Sequence, residues 1–266
     1  MNSFMSWVGG KKNLRDEVLA RFPPYYERYI EVFGGAGWVL FHKPPGMDFE
    51  VYNDFNSNLA NLYRCVRDKP AKLKYKLRYV LDSREDFDLT SSLHKRGILP
   101  RLYDVDRAAK FYQLIRYSYA SGLDSFGSQP HSIWSDFPMI DLAARRLQKV
   151  VVENKDFEKL IKQYDRPVSF FYCDPPYFAT ENYYKDVGFT AKDHIRLRDT
   201  LLDIKGKFLV SYNDCPEIRE IWDKPNIHIE EISRLNNLAQ RYDAGCQYGE
   251  LLIRSEEHTS ELQSRQ

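Results

Sequence analysis

The chain has 266 residues, and its 39 Lys and Arg against 38 Asp and Glu give a formal net charge of +1. This length fits one large domain or a domain that carries an insertion, and the near-neutral charge argues against a uniformly basic nucleic-acid-binding protein. The sequence has no apolar run of roughly 18 residues, so we expect no membrane span. Aromatic residues make up 15% of the chain, and such side chains both fill cores and stack on nucleobases.

The N-terminus and the cysteines indicate where the protein acts. Residues 1–4 show no basic segment leading into an apolar one, so we expect no secretory signal. The four cysteines lie far apart without metal-ligand spacing and are too few for a disulfide scaffold. They are Cys65, Cys173, Cys215 and Cys246. We therefore expect reduced thiols in a cytoplasmic protein that binds no metal.

The chain opens with the pattern of a parallel α/β sheet. Apolar spacing predicts a helix over residues 11–22 and another over 56–66. Apolar runs predict strands over 29–33 and 49–53, and the first strand leads at once into four residues of which three are glycine. The order strand, glycine turn, helix and strand is typical of the first half of such a sheet.

Residues 62–140 interrupt this pattern, because apolar periodicity weakens and positive charge accumulates. Between residues 62 and 116 there are 14 Lys and Arg against 7 Asp and Glu, a local net charge of +7. The near-neutral total is therefore an average of a basic insertion and a slightly acidic remainder. A basic segment of this kind can bind phosphates or guanine edges, and we name Arg101, Arg107 and Arg116 as candidates. The alternative is an ordinary solvated helix surface.

The α/β alternation returns after a loop at 121–130. An unbroken apolar run over 168–173 predicts a strand that is buried on both faces. The other predicted elements are strands at 150–153 and 207–213, helices at 190–205 and 217–222, and a closing antiparallel pair at 227–232 and 247–254. The whole pattern predicts one α/β domain with a helical insertion.

The strongest motif is Asp174-Pro175-Pro176-Tyr177, directly after the predicted buried strand. Proline cannot donate to a strand ladder, so the two prolines form a rigid turn at the carboxyl end of the sheet, where ligands bind in open α/β folds. Asp174 and the Pro175 carbonyl can each accept one N–H of a planar amine, and Tyr177 can stack on its ring. The alternative is a Pro-Pro turn with a capping aspartate.

A second motif is the glycine-rich loop over residues 33–37, together with Asp54. Glycines let the backbone approach a ligand closely, but a dinucleotide fingerprint would have glycine in place of Ala36 and Val39. Asp54 lies 20 residues beyond Gly34, at the end of a strand, where an acidic residue binds ribose hydroxyls of nucleotide-type cofactors. The alternative for Asp54 is a helix N-cap.

The third motif is Trp7-Val8-Gly9-Gly10-Lys11. An aromatic residue, a Gly-Gly bend and a lysine can close over a cofactor, with Lys11 pairing with a carboxylate. The same residues also suit a tight turn before the first helix.

Together these motifs resemble the Dam-type, alpha-ordered D12 class of N6-adenine-specific DNA methyltransferases of bacteria and phages. The resemblance covers residues 4–254 and includes the order of the motifs, with the insertion before the catalytic loop. It implies a Rossmann-like, S-adenosylmethionine-dependent methyltransferase sheet with a helical target-recognition insertion. The expected catalytic domain comprises 1–61 and 141–254, and the expected recognition insertion 62–140.

The resemblance also implies roles for individual residues. It assigns catalysis to Asp174, Pro175, Pro176 and Tyr177. It assigns contacts with S-adenosylmethionine to Trp7, Lys11, Phe33, Gly35, Gly37, Asp54, Asp156, Phe157 and Asp174. The segment from Arg116 to Gly122 resembles the part of the recognition domain that enters DNA, which adds Tyr117 and Tyr119 to the candidate DNA contacts.

The implied reaction is transfer of a methyl group to the N6 of an adenine flipped out of double-stranded DNA, by a monomer without a metal. Related amino-group targets are cytosine N4, RNA adenine and protein glutamine. Cytosine enzymes usually have Ser in place of Asp174 and glutamine enzymes Asn. A nicotinamide oxidoreductase is disfavoured by the glycine spacing, and a catalytically inactive DNA-binding relative by the intact motifs. Relatives often methylate GATC, but the site and the biological role stay open.

The last residues resemble no protein family. Residues 254–264 look like the in-frame translation of a common short-read sequencing adapter. We therefore expect 255–266 to be an artefact that is disordered and packs on nothing. The alternative is a frayed polar tail.

Overall fold

A computed structural model describes residues 1–7, 9–127, 130–178, 188–235 and 247–255. Within these residues the chain forms seven strands and ten helices, with three short 3₁₀ turns between them. The strands are β1 (Arg28–Glu31), β2 (Phe49–Asn53), β3 (Val150–Glu153), β4 (Ser169–Cys173), β5 (Lys207–Asn213), β6 (Ile227–Leu235) and β7 (Gln247–Ser255). The helices are α1 (Arg15–Ala20), α2 (Trp38–His42), α3 (Ser57–Asp68), α4 (Pro70–Leu77), α5 (Arg84–Lys95), α6 (Asp104–Tyr117), α7 (Phe137–Leu147), α8 (Phe157–Tyr164), α9 (Ala191–Leu202) and α10 (Pro216–Trp222).

The strands form a sheet in the order β3-β2-β1-β4-β5-β7-β6. β4 runs parallel to both β1 and β5, whereas β7 runs antiparallel to β5 and β6. All five residues of β4 are buried, as expected for a central strand with both faces covered. The predicted α/β class and the closing antiparallel pair are thus confirmed. No helix among the described residues is long and apolar enough to cross a membrane.

The chain divides into two compact units. The first comprises Met1–Gly10, Gly34–Pro45 and Tyr52–Asn154, and the second comprises Lys11–Phe33, Gly46–Val51 and Lys155–Gln266. The predicted insertion 62–140 lies wholly within the first unit, and its predicted start falls inside helix α3. The proposed domain limits therefore stay a prediction.

The core of the first unit lies between helices α3 and α6, which pack along each other. Leu62 and Tyr63 of α3 and Phe111 and Tyr112 of α6 are all fully buried. Phe4, from the N-terminal segment, stacks on Tyr112 with ring centroids 6.3 Å apart. Although the apolar periodicity of residues 62–140 is weak, it is sufficient for helices α3 and α6 to bury one face against each other.

The core of the second unit is the central strand β4 and its neighbours. Phe170 and Phe171 of β4 and Tyr29 of β1 are fully buried. The ring of Phe22 meets that of Phe170 edge-on, with centroids 4.6 Å apart. Because β4 lies in this packed core, its end is held rigidly, and the residues that follow it begin from a fixed position.

Several predicted limits differ from the observed ones. The first helix begins at Arg15 rather than at residue 11, and α9 ends at Leu202 rather than at 205. No limits were predicted for α2 and α8, because five and eight residues are too short for a clear helical period. Ser255 was expected to pack on nothing, but it pairs with Ile227 in the β6–β7 ladder. The rest of that tail, 256–266, lies outside the described residues, as do Val8 of the N-terminal motif and residues 128–129 of the predicted loop.

Candidate active site

Asp174, the aspartate of the Asp-Pro-Pro-Tyr motif, is held at the end of β4 by two side chains of the second unit. Lys11 Nζ lies 2.5 Å from Asp174 Oδ1, and the Ser211 hydroxyl of β5 donates to the same oxygen at 3.0 Å. Burial raises the pKa of Asp174, and the nearby Glu250 carboxylate adds to this effect, while Lys11 and Ser211 oppose it. Pro175 and Pro176 are buried. The loop therefore presents an anchored carboxylate at the carboxyl end of the sheet.

Tyr177 belongs to the same network. Lys11 Nζ donates to the Tyr177 hydroxyl at 2.5 Å and lies 4.4 Å from the centroid of its ring. The Tyr177 hydroxyl in turn donates to Glu250 Oε2. Glu250, a fully buried residue of β7, was not predicted. The only signal in the sequence was an acidic residue within the otherwise apolar run of β7.

The glycines of the glycine-rich loop lie in the first unit. Gly35 and Gly37 have φ angles of 49° and 63°, which side chains disfavour. The Gly35 N–H donates to Asp54 Oδ2 at 2.9 Å, and Gly34 N–H donates to the Asn53 carbonyl at 2.7 Å. A Cβ on Gly34 would lie 2.1 Å from the ring of Tyr52, so glycine is required there by space as well.

Asp54 thus shapes the glycine loop. Its other oxygen accepts from the Asn56 N–H at 2.8 Å, and Asn56 itself caps helix α3 by accepting from two backbone N–H groups. The alternative interpretation of Asp54 as the helix N-cap was therefore wrong. Burial raises the pKa of Asp54 to about 6, although the bonds from Gly35 and Asn56 oppose the shift.

The tryptophan of the N-terminal motif lies against the same loop. A Cβ built on Gly35 would be 3.0 Å from Trp7 Cδ1. The Trp7 ring also meets Phe111 of α6, with centroids 5.9 Å apart. The Gly10 N–H donates to the Trp7 carbonyl at 3.2 Å and so closes a tight turn. The tight turn, which was the alternative interpretation of this motif, is therefore present among the described residues, while closure of the motif over a cofactor stays a prediction.

The predicted pair Asp156-Phe157 begins helix α8. The Asp156 carboxylate caps the helix by accepting from Glu158 N–H at 3.1 Å, and it pairs with Arg196 Nη2 at 2.9 Å. Burial acts to raise the pKa of Asp156, but the bonds from Arg196 and from the helix N–H groups outweigh it and lower the pKa. The Arg196 guanidinium lies 4.0 Å from the Phe157 ring centroid, and the Phe33 ring lies 5.7 Å from it. Phe33 and Phe157 are thus brought together.

The predicted DNA contacts occupy different environments in the first unit. Arg101 and Tyr119 are exposed. Arg107 donates to Asn58 at 2.8 Å and to Ser57 at 2.7 Å, at the start of α3.

The other two candidates, on the last turn of α6, have contacts within the same unit. Arg116 pairs with Asp136 at 2.9 Å. Tyr117 is buried, and this burial raises its pKa to about 12. Exposure therefore singles out Arg101 and Tyr119 among the five candidates.

Tyr119 begins a loop of unusual backbone conformation. Ala120, Ser121 and Leu123 have φ angles of 50°, 58° and 64°, although none is glycine. The loop is closed by a bond of 2.8 Å from the Tyr119 N–H to the Ser125 carbonyl and by a bridge between Ser118 and Phe126. A backbone conformation of this kind costs free energy and persists only where the surrounding structure holds it in place. Such conformations cluster at functional sites. This loop is the strongest candidate for a recognition element in the first unit.

The basic excess of the predicted insertion is partly neutralised within the first unit. Lys69, Lys74, Lys76 and Arg116 pair with Asp104, Asp141, Asp106 and Asp136. The number of positive residues therefore overstates the charge that is available to a partner.

Comparison with known proteins identifies the family of the chain. A family model described as D12 class N6 adenine-specific DNA methyltransferase matches residues 7–236. The chain is 30% identical over 259 residues to the type II methyltransferase M1.LlaDCHI of Lactococcus lactis subsp. cremoris, covering 89% of each chain.

It is also similar to the DNA adenine methylases of Escherichia coli K12 and Vibrio cholerae. Both are 26% identical to it, over 262 and 255 residues, with 87% of this chain and 88% of each relative covered. The motifs, the sheet and the family match all agree. The chain is an enzyme that belongs to the D12 class of N6 adenine-specific DNA methyltransferases.

Proposed function

We propose that the enzyme transfers a methyl group from S-adenosylmethionine to the N6 of an adenine that is flipped out of double-stranded DNA at a short specific site. The observation that carries the proposal is the anchoring of Asp174 at the end of buried β4, where Lys11 and Ser211 both bind its Oδ1. An acceptor in this place, followed by the Pro175 carbonyl and by an aromatic ring, suits an exocyclic amine.

The chemistry of the described residues fits this cofactor. In the second unit, the partly exposed Asp174 and the fully buried Glu250 provide two carboxylates for one lysine, an excess of negative charge that suits a sulfonium cation. Phe33 and Phe157 offer aromatic surface for an adenine. In the first unit, Asp54 follows β2, the position of a ribose-binding acid. When bound, S-adenosylmethionine would supply an electrophilic methyl group: the S–C bond would break as the N–C bond forms, S-adenosylhomocysteine would leave as a neutral thioether, and N6 would lose one proton.

The role of Asp174 follows from its contacts. Among the described residues, both partners of this carboxylate bind Oδ1, so Oδ2 can accept a hydrogen bond from N6. The Pro175 carbonyl can accept the second N–H. The lone pair of N6 is conjugated with the purine ring, and two such acceptors localise it on nitrogen. Positioning and electrostatics then carry the rate, without a covalent enzyme intermediate.

The free energy of flipping the base out of the duplex is offset by stacking on Tyr177 and by DNA contacts of residues in the first unit. Flipping costs a few kcal/mol, and stacking on one aromatic ring is worth about 1–3 kcal/mol. Tyr177 therefore offsets much of the cost. The remainder comes from phosphate and base contacts, for which the exposed Arg101 and Tyr119 are the favoured residues. We further propose that the enzyme acts as a monomer in the bacterial cytoplasm.

Two experiments test the proposal. In the first, the purified chain is incubated with tritiated S-adenosylmethionine and either duplex DNA or RNA, and we expect label in the DNA alone. In the second, the gene is expressed in a host that lacks DNA methylation, and modified-base sequencing identifies the base and the site. Label in RNA only, or binding of S-adenosylmethionine without any transfer, contradicts the proposal.

A further inference from the structure

Glu250 is an acidic residue at a position where the packing calls for an apolar one. It lies in β7 next to Leu251, Leu252 and Ile253, and all four residues are fully buried. In the β5–β7 ladder it lies opposite Asn213, close to the carboxyl end of β5. Burying a carboxylate is unfavourable unless it is paired, whereas an apolar side chain of similar volume would fill the strand at no such cost.

The partners of Glu250 are residues of the catalytic loop and its lysine. Tyr177 donates its hydroxyl to Glu250 Oε2, and Lys11 Nζ lies 3.9 Å from the same oxygen. Lys11 also binds Asp174 Oδ1 and the Tyr177 hydroxyl, each at 2.5 Å. Four side chains therefore form one network, in which a single ammonium group serves two carboxylates.

This network has two consequences for the catalytic loop. The bond from the hydroxyl to Glu250 restrains the rotation of the Tyr177 ring, so that the ring keeps one orientation before any base arrives. Glu250 also attracts Lys11, whose other partners among the residues that the structure describes are Asp174 and Tyr177. Attraction of this kind leaves the carboxylate of Asp174 a better acceptor for an incoming amine.

We propose that Glu250 is a positioning residue for methyl transfer, which orients the ring of Tyr177 and balances the charge of Lys11 beside Asp174. The inference rests on the proposed function and extends it to the C-terminal hairpin. Glu250 acts through Tyr177, so its contribution depends on the Tyr177 hydroxyl.

The test is a double-mutant cycle of Glu250→Gln and Tyr177→Phe, with Glu231→Gln as the matched control on the neighbouring strand. Glu231 is exposed and pairs with Arg219 at the surface, where ion pairs contribute little. For each variant, kcat and KM for duplex DNA are measured with tritiated S-adenosylmethionine. The melting temperature and the Kd for S-adenosylmethionine are measured alongside.

We expect each single substitution in the cycle to lower kcat by about tenfold, as for a lost bond to a charged group. The double variant should be no more than about threefold worse than either single variant, because the two substitutions break the same interaction. Glu231→Gln should match the unchanged chain. A Glu250→Gln variant with unchanged kcat, or a double variant with multiplied losses, overturns the inference.

Two further outcomes decide the remaining cases. If Glu250→Gln does not fold, Tyr177→Phe alone tests the restraint, since it keeps both the ring and the carboxylate, and full activity in that variant overturns the inference. If the unchanged chain transfers no methyl group to DNA, the proposed function fails, and the inference fails with it. If the unchanged chain transfers methyl groups to DNA but the substitutions of the cycle leave kcat unchanged, the inference about Glu250 is overturned and the proposed function stands.

Discussion

The Nζ atom of Lys11 lies 2.5 Å from Oδ1 of Asp174, and only 4% of the lysine side chain is exposed. The lysine precedes helix α1, and the aspartate follows β4, so the pair joins the start of the second unit to the end of its central strand. Removing one partner of a buried ion pair leaves the other charge uncompensated.

We therefore expect Lys11→Met to abolish methyl transfer and to destabilise the protein by about 3 kcal/mol. Urea denaturation followed by circular dichroism measures the second effect. The matched control is Lys12→Met, which changes an exposed neighbour. Equal stability of the two variants would contradict the importance of the pair.

The Asp174 carboxylate should be essential for transfer but not for DNA binding. We expect Asp174→Asn and Asp174→Ala to lower kcat by at least about 10²-fold, while the affinity for DNA in a gel-shift assay stays close to that of the unchanged chain. A kcat close to that of the unchanged chain in either variant would refute the assigned role.

Asp174 should also set the acidic limit of activity. Its pKa is raised, chiefly by burial, and the ionised carboxylate is a stronger acceptor for the N–H groups of an amine than the protonated acid. As the pH falls through this raised pKa, kcat falls. The acidic limb of the kcat–pH profile should therefore lie above the ordinary pKa of about 3.9 for an aspartate.

Asp54 should contribute a pH dependence to stability. Its pKa is about 6 in the folded chain against an ordinary value of 3.8. Between these two pH values the folded state binds more protons than the unfolded state, so the contribution of Asp54 to stability decreases as the pH rises from about 4 to 6.

Asp54→Asn removes this dependence. Relative to the unchanged chain, the variant should gain thermal stability across that interval and keep a constant difference above it. The exposed Asp199→Asn serves as the control. Melting curves at pH 4 to 8 measure the difference, and parallel curves for Asp54→Asn and the unchanged chain would disprove the prediction.

Gly34 should not tolerate a side chain. A Cβ there would lie 2.1 Å from Cε2 of Tyr52, which is fully buried and cannot move freely. We expect Gly34→Ala to destabilise the first unit by about 1–3 kcal/mol. Gly122→Ala is the control, because its nearest contact would be an ordinary 3.4 Å. Urea denaturation compares the two, and equal midpoints would contradict the steric argument.

Arg101 and Arg107 should separate DNA binding from folding. Arg107 is held by Asn58 and Ser57, and burial lowers its pKa. We expect Arg107→Ala to cost about 1–3 kcal/mol of stability. Changing the exposed Arg101 to Ala should alter the free energy of unfolding by no more than about 0.5 kcal/mol. The slope of the logarithm of the DNA-binding constant against the logarithm of the salt concentration should become shallower by about one. Denaturation curves and gel shifts at several salt concentrations distinguish these outcomes, and the reverse pattern would be evidence against the assignment.

The strands were predictable because their signals are local. β2, β3 and β5 have the limits that the apolar runs predicted, since each ends at an acidic or amide residue beyond which the pattern changes. Short helices gave no such signal. The eight residues of α8 offer only two turns, and its start is fixed by Asp156 together with Arg196, a residue of α9.

The candidate site was only partly predictable. The sequence indicated Asp174, Tyr177 and Lys11 through their motifs, but it gave no reason to join Glu250 to them. That relation exists because β7 pairs antiparallel with β5 and so places residue 250 beside the loop after β4. The pairing partner of a strand distant in the chain cannot be derived from its own residues.

The sequence by itself determined the α/β class, the family and the motifs on which the proposed chemistry rests, because strand runs, glycine turns and the Pro-Pro loop are local patterns. Only the tertiary structure decided which charges are engaged. Arg107 and Arg116 counted toward the basic excess in the same way as Arg101, yet the fold surrounds Arg107 with Ser57 and Asn58 and Arg116 with Asp136. Charge is a property of a residue, but its availability depends on the neighbours that folding brings to it.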